Sequence, residues 1–270
     1  MLFQSPHKYS RTKYHNTRPF PQILIALLLT SLVIDCYAIT NIESQRKRGE
    51  TEGLKGEIEF TLSGKSGNND KQLIEASARA DYRQQQHQML GIINHEREKN
   101  NGVENSDNSF VHLRYIHHNT PAFAWESYIQ YQQDSFKSLD SRSLVGGGAR
   151  FNTSPEDESY LLILGVGAYY TEEVYDLQMG KQHDDYVRAS TYASYVKPLG
   201  ANATLSNTLY WQPRLSQPSD CYVYNNLALE LKINASLSLR ITVESQYDSD
   251  PVEDNENADH NYKTSLLYRF

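Results

Sequence analysis

From Gly56 to Phe270 the chain alternates between apolar and polar side chains in segments of about ten residues, and helical spacing almost never interrupts them. A period of two places successive side chains on opposite faces of an extended backbone. Ile74, Ala76, Ala78, Ala80 and Tyr82 stand against Glu75, Ser77, Arg79, Asp81 and Arg83. Leu237, Leu239, Ile241, Val243 and Tyr247 stand against Ser238, Arg240, Thr242, Glu244 and Gln246, and Tyr262, Leu266, Tyr268 and Phe270 against Lys263, Ser265 and Arg269. The pattern predicts twelve strands, at 57–63, 73–83, 87–94, 109–117, 123–132, 142–151, 160–171, 185–196, 203–212, 222–232, 236–247 and 261–270. Segments 87–94 and 160–171 are apolar in both phases, so their faces stay open.

Segments of this length suit tilted strands crossing a hydrocarbon layer of about 30 Å. In lipid an open sheet edge leaves backbone groups unsatisfied at several kcal/mol each, so the strands must close on themselves. The expected fold class is all-β, a transmembrane antiparallel up-and-down β-barrel of about 12 strands. Connections alternate in length as such a barrel requires: 84–86, 118–122, 152–159, 197–202 and 233–235 are short, whereas 95–108, 134–141, 172–184, 213–221 and 248–260 read as longer surface loops. Aromatic residues gather at strand ends (Tyr82, Tyr115, Trp125, Tyr131, Phe151, Tyr169, Tyr195, Trp211, Tyr247, Tyr268, Phe270), where rings suit a headgroup boundary.

The only long apolar run is Ile23 to Ile34, preceded by Lys8, Arg11, Lys13 and Arg18 and followed by Cys36, Tyr37 and Ala38. Twelve residues are too few to span a bilayer as a helix, so residues 1–38 read as a signal peptide, 39–55 as a flexible leader and 56–270 as the barrel domain. Loss of 1–38 removes four of 26 basic and one of 33 acidic groups, moving the formal charge from −7 to −10. Nucleic acid is excluded as a partner on that charge. Cys221 then stands alone, no disulfide within the chain is available, and no Cys/His spacing suggests a metal or other cofactor. The mean hydropathy of −0.66 would fit a disordered chain, but 20 tyrosines do not.

The stretch Leu62 to Asp70 resembles the Ser-Gly-Asn-Thr-Asp hairpin of the salt-induced outer-membrane protein family, domain of unknown function family 481. Ser249-Asp250-Pro251, the acidic loop after it, and Lys263 to Phe270 are similar to that family's closing hairpin, and Val145 to Ala149 to its glycine-rich sixth strand. The resemblance implies a Gram-negative outer-membrane location, lipopolysaccharide and outer-membrane lipids as surroundings, and envelope integrity or passive small-solute passage under salt stress. A terminal Phe270 after alternating aromatics resembles the signal read by the barrel-assembly machinery. The family brings no catalytic residues, and the oligomeric state stays open.

The polar face carries both signs of charge, which either fill a small barrel with ion pairs or line a narrow aqueous path. For a path, Arg79, Arg114 and Arg188 opposing Glu75, Glu126 and Glu244 are the expected constriction. Two other readings remain. A lipid-modifying barrel enzyme needs a histidine and a hydroxyl in reach of each other, and no His-x-Ser occurs, so an enzyme is not expected. A secreted soluble barrel binding an apolar ligand would turn the apolar face inward. The acidic run Glu253 to Asp259 lacks the glycine and distal glutamate of a calcium loop and reads as a solvated surface.

Overall fold

The structure is a computed structural model that describes residues 52–65, 71–153, 159–252 and 256–270. Twelve strands follow one another as β1 (Gly53–Lys65), β2 (Lys71–Gln84), β3 (His87–Asn100), β4 (Val103–Thr120), β5 (Phe123–Asp134), β6 (Leu139–Asn152), β7 (Leu161–Leu177), β8 (Gly180–Pro198), β9 (Ala203–Arg214), β10 (Gln217–Lys232), β11 (Leu237–Asp248) and β12 (Ala258–Arg269). Each pairs antiparallel with its sequence neighbours, and β12 returns to β1, so the sheet is a closed barrel. One short 3-10 turn, Ser135–Lys137, interrupts the β5 to β6 connection. The expected signal peptide and most of the expected leader lie outside the described residues, and β1 begins at Gly53, within the stretch read as leader.

All twelve expected strands are present, but they run 12 to 19 residues and absorb most of what reads as long loops. β3 and β4 continue through 95–108 to a turn at Asn101 and Gly102, and β7 and β8 meet at Gly180 across 172–184. β9 and β10 likewise close across Leu215 and Ser216. The physical reason is that here the outward face carries polar residues such as Glu172 and Asp176 while the inward face keeps polar ones such as Glu173 and Asp220, so the apolar–polar alternation that identifies the membrane-level part of the same strands is lost. The barrel therefore has a short-turn end and an end of projecting hairpins.

Large apolar side chains point outward: Phe60, Ile74, Met89, Ile93, Leu113, Trp125, Ile129, Val145, Val166, Leu209, Trp211, Ile241 and Leu266 are all exposed. Charged and polar side chains are buried inside, among them His112, Arg114, Glu126, Arg150, Arg188, Gln212 and Arg240. That arrangement inverts a water-soluble protein and rules out the soluble barrel with an apolar lumen. Among the described residues no helix is long and apolar enough to cross a membrane; the strands provide the crossing.

The two open segments resolve because the lumen has apolar patches of its own. Leu90 and Ile92 of β3 face inward against Phe110, while Met89 and Ile93 face out. On β7, Leu161 and Ile163 face inward with Tyr192, Val196, Tyr210 and Tyr224, while Leu164 and Val166 face out. Tyr169 departs from the expected aromatic girdle: it is buried in the lumen beside Tyr128, and its hydroxyl donates to Gln212 at 3.3 Å.

Candidate functional site: the barrel lumen

Inward positions on neighbouring strands come into contact only through the register, and four of the polar clusters it builds hold most of the ion pairs among the described residues. At the short-turn end Arg240 and Arg269 meet Glu57, Glu59 and Glu230. Arg240 reaches Glu57 at 3.1 Å and also pairs with Glu59, while Arg269 holds Glu230 through two nitrogens at 2.6 and 2.7 Å. Along β4, β5 and β6, Arg114 lies 3.0 Å and Arg150 3.6 Å from Glu126. Near the hairpin end Lys263 sits among Glu75, Glu244 and Glu96 at 3.1, 3.2 and 3.5 Å. On the facing wall Arg142 pairs with Glu173 at 2.7 Å and Arg188 with Asp220 at 2.6 Å. The Arg188 guanidinium also lies 3.8 Å from the Tyr222 ring centre, a cation–π contact.

Some contacts reach beyond the neighbouring strand. Tyr192 of β8 donates from its hydroxyl to Glu126 of β5, at 3.0 and 3.1 Å from the two carboxylate oxygens, and accepts from Arg150 at 3.1 Å. The ring can lie flat across β7 because residue 165 is glycine; a Cβ there would fall within the Tyr192 ring. Arg142 of β6 donates to the Tyr222 hydroxyl of β10 at 3.3 Å. Lys137, in the 3-10 turn, reaches Gln246 of β11 at 3.1 Å and lies 3.5 Å from Asp134 and 3.9 Å from Asp259. Burial draws the Lys137 ammonium below the ordinary lysine value, against the pull of Asp134 and Asp259. The turn itself is held by Ser135, whose hydroxyl donates to the Asp107 carbonyl and accepts from its N–H.

Beneath Lys137 lies a polar cavity of about 420 Å³ between β2 to β5 and β10 to β12. Glu75, Glu96, Glu98, Asp134, Glu244 and Asp259 line it against Lys137 and Lys263, so its wall is strongly acidic. Amides from Asn94, Asn108, Gln132 and Asn261 complete it.

The six residues expected at a constriction all face inward but occupy separate places. Arg114 and Glu126 pair directly, Glu75 and Glu244 meet through Lys263, Arg188 binds Asp220, and Arg79 pairs with Asp81 at 3.3 Å. Tyr192, Lys137, Arg142, Glu173 and Asp220 were not among them. Lys137, Glu173 and Asp220 fall in stretches that read as loop, and nothing in its own segment marks Tyr192 as a residue that reaches three strands away to Glu126.

Two histidine–serine contacts do form, across strands rather than along one: His95 with Ser109 at 3.2 Å and His260 with Ser245 at 3.1 Å. Both use Nδ1, and in the first the same nitrogen is the one 3.7 Å from Asp107. One ring atom would have to serve both hydroxyl and carboxylate, unlike the two-sided relay of a nucleophilic triad. Among the described residues no group of three or more His, Cys, Asp or Glu is placed to hold a metal ion, and Glu253 to Asn255 of the acidic run lie outside them.

The fold has relatives among solved structures. The translocator domain of the autotransporter NalP from Neisseria meningitidis is 10% identical, with a TM-score of 0.51 over 82% of this chain and 90% of that one. The NanC porin is 8% identical, with a TM-score of 0.50 over 80% and 99%. At such identities the likeness is one of fold, that of outer-membrane barrels. No curated protein matches the chain by sequence. A family profile described as "Protein of unknown function, DUF481" matches residues 58–270.

Proposed function

The chain belongs to the DUF481 family, and from that premise we propose that it is an integral outer-membrane barrel of a Gram-negative envelope that gives small hydrophilic solutes a narrow passive path, closed at rest by side chains that cross the lumen. Residues 1–38 direct export, the barrel-assembly machinery reads Phe270, and the projecting hairpins face the lipopolysaccharide. Induction by salt is the physiological setting that the family resemblance suggests.

The observation that carries the reading is the acidic chamber beneath Lys137, with the Tyr192 to Glu126 bridge laid over the lumen wall from β8 to β5. Ion pairs alone could fill a small barrel, whereas this lumen also keeps an acidic chamber of about 420 Å³ near its hairpin end. The acidic chamber favours cations over anions.

The test is planar-bilayer recording on the refolded barrel. The wild type is expected to give small, brief, cation-preferring openings, and Tyr192→Ala longer and larger ones. Silence from both proteins, with folding verified by heat-modifiable gel migration, would refute passage and leave envelope integrity as the function.

A further inference from the structure

Outward positions on β9 to β11 break the apolar band at one place. Asn207 and Asn225 alternate with the buried Ser206, Thr208, Tyr224 and Asn226, so both amides point away from the lumen. Asn207 Nδ2 donates to Asn225 Oδ1 at 2.7 Å and approaches the Asn226 carbonyl at 3.4 Å. Asn225 is the register partner of Leu209 on one side and Ser245 on the other, one step inside the aromatic level of Trp211 and Tyr247. The pair therefore lies within the lipid-facing band and not above it.

The pairing satisfies half of each amide. Asn225 Nδ2 keeps its donor hydrogens and Asn207 Oδ1 its acceptor capacity, with no partner for either among the described residues. Hydrocarbon can supply neither, and polar groups left unmet in lipid are costly. The leftover groups are one donor and one acceptor at nearly the same depth. Two copies of this chain standing side by side with the same orientation are related by a twofold axis along the membrane normal, which brings like depths together. Asn225 Nδ2 of each copy then faces Asn207 Oδ1 of the other, twice over.

We infer that the β9–β10 face is the contact surface of a homodimer, with the amide pair at its centre and Leu209 and Trp211, both exposed, as its apolar flank. The inference is independent of whether the lumen conducts.

Cross-linking in native outer membranes tests it. In a Cys221→Ser background, Leu209→Cys is expected to oxidise to a covalent dimer. Ile93→Cys, outward on β3 and six strands away around the ring, is not. Replacing both amides (Asn207→Leu with Asn225→Leu) should weaken the dimer about tenfold, as loss of two reciprocal hydrogen bonds in a membrane implies, while leaving heat-modifiable migration unchanged. Equal cross-linking at positions 93 and 209, or a dimer untouched by the leucines, would overturn the inference. So would native mass spectrometry showing a monomer that loses a bound lipid in the leucine variant, since a lipid would then be the partner.

Discussion

Gly165→Ala tests whether Tyr192 is held over the lumen wall by the absence of a side chain beneath it. The added methyl would occupy the space of the ring, so the ring must tilt away. Overpacking of this kind costs about 1–3 kcal/mol. Tilting also breaks the hydroxyl's bonds to Glu126 and Arg150, and hydrogen bonds to charged groups contribute about 1.5–3 kcal/mol. The combined loss expected is about 2.5–6 kcal/mol. Urea unfolding in lipid vesicles, followed by the fluorescence of Trp125 and Trp211, measures it. The decisive version is a double-mutant cycle. In a Tyr192→Ala background the methyl meets no ring, so Gly165→Ala should change stability by less than about 0.5 kcal/mol. A penalty of the same size in both backgrounds would refute the argument and make Gly165 a requirement of the backbone alone.

Removing the one ammonium among Glu75, Glu96 and Glu244 with Lys263→Met should cost about 3–5 kcal/mol, because a buried charge loses its partner. Adding Glu96→Gln and Glu244→Gln should recover part of it in the same unfolding assay, and no recovery would argue against an electrostatic origin. Lys137→Ala should alter stability by less than about 1 kcal/mol, since its ion pairs, at 3.5 and 3.9 Å, are long. It should nevertheless raise single-channel conductance, and unchanged conductance would mean that the 3-10 turn does not restrict the mouth. Trp125, and Trp211 once the paired leucine replacements have separated the dimer, 54% and 50% exposed on the outer face, should be quenched by brominated lipid in single-tryptophan variants. Quenching by aqueous iodide instead would place them in water and contradict the lipid-facing assignment.

The outward face was legible wherever the inward face is polar with at most one exception, as on β11, on β2 (Leu73) and on β12 (Leu267), because only one phase of the alternation could meet lipid. It was illegible on β3 and β7, where Leu90, Ile92, Leu161 and Ile163 pack inside the lumen and make both phases apolar. The strand extensions were hidden for the opposite reason: both faces carry polar side chains, so no alternation marks them. Inward charge could be read residue by residue, but not who pairs with whom. Arg240 finds Glu57 across 183 positions, and Tyr192 finds Glu126 across 66 and three strands. Register, tilt and a glycine under a ring decide those meetings, and none leaves a local trace in the sequence.

The distribution of the ion clusters follows from how the barrel closes. β1 and β2 are paired over thirteen residues, whereas β1 and β12, the two strands that must find each other last in sequence, are paired over five, from Glu57↔Arg269 to Thr61↔Ser265. A short ladder provides few backbone hydrogen bonds, and in lipid those bonds are what a barrel cannot do without. The lumen places its densest ionic cluster at that seam: Arg240 and Arg269 come from β11 and β12, Glu57 and Glu59 from β1. Thr61 and Ser265 add a hydroxyl bond at 2.8 Å, and Phe270 exchanges two backbone bonds with Gly56 while its ring covers that glycine. Above the ladder's last pair, Lys263 of β12 reaches past β1 to Glu75 and Glu96 on β2 and β3, so side chains continue the closure where the backbone ladder has ended. Charges that would be a liability inside a soluble core thus stabilise a membrane barrel at its weakest join.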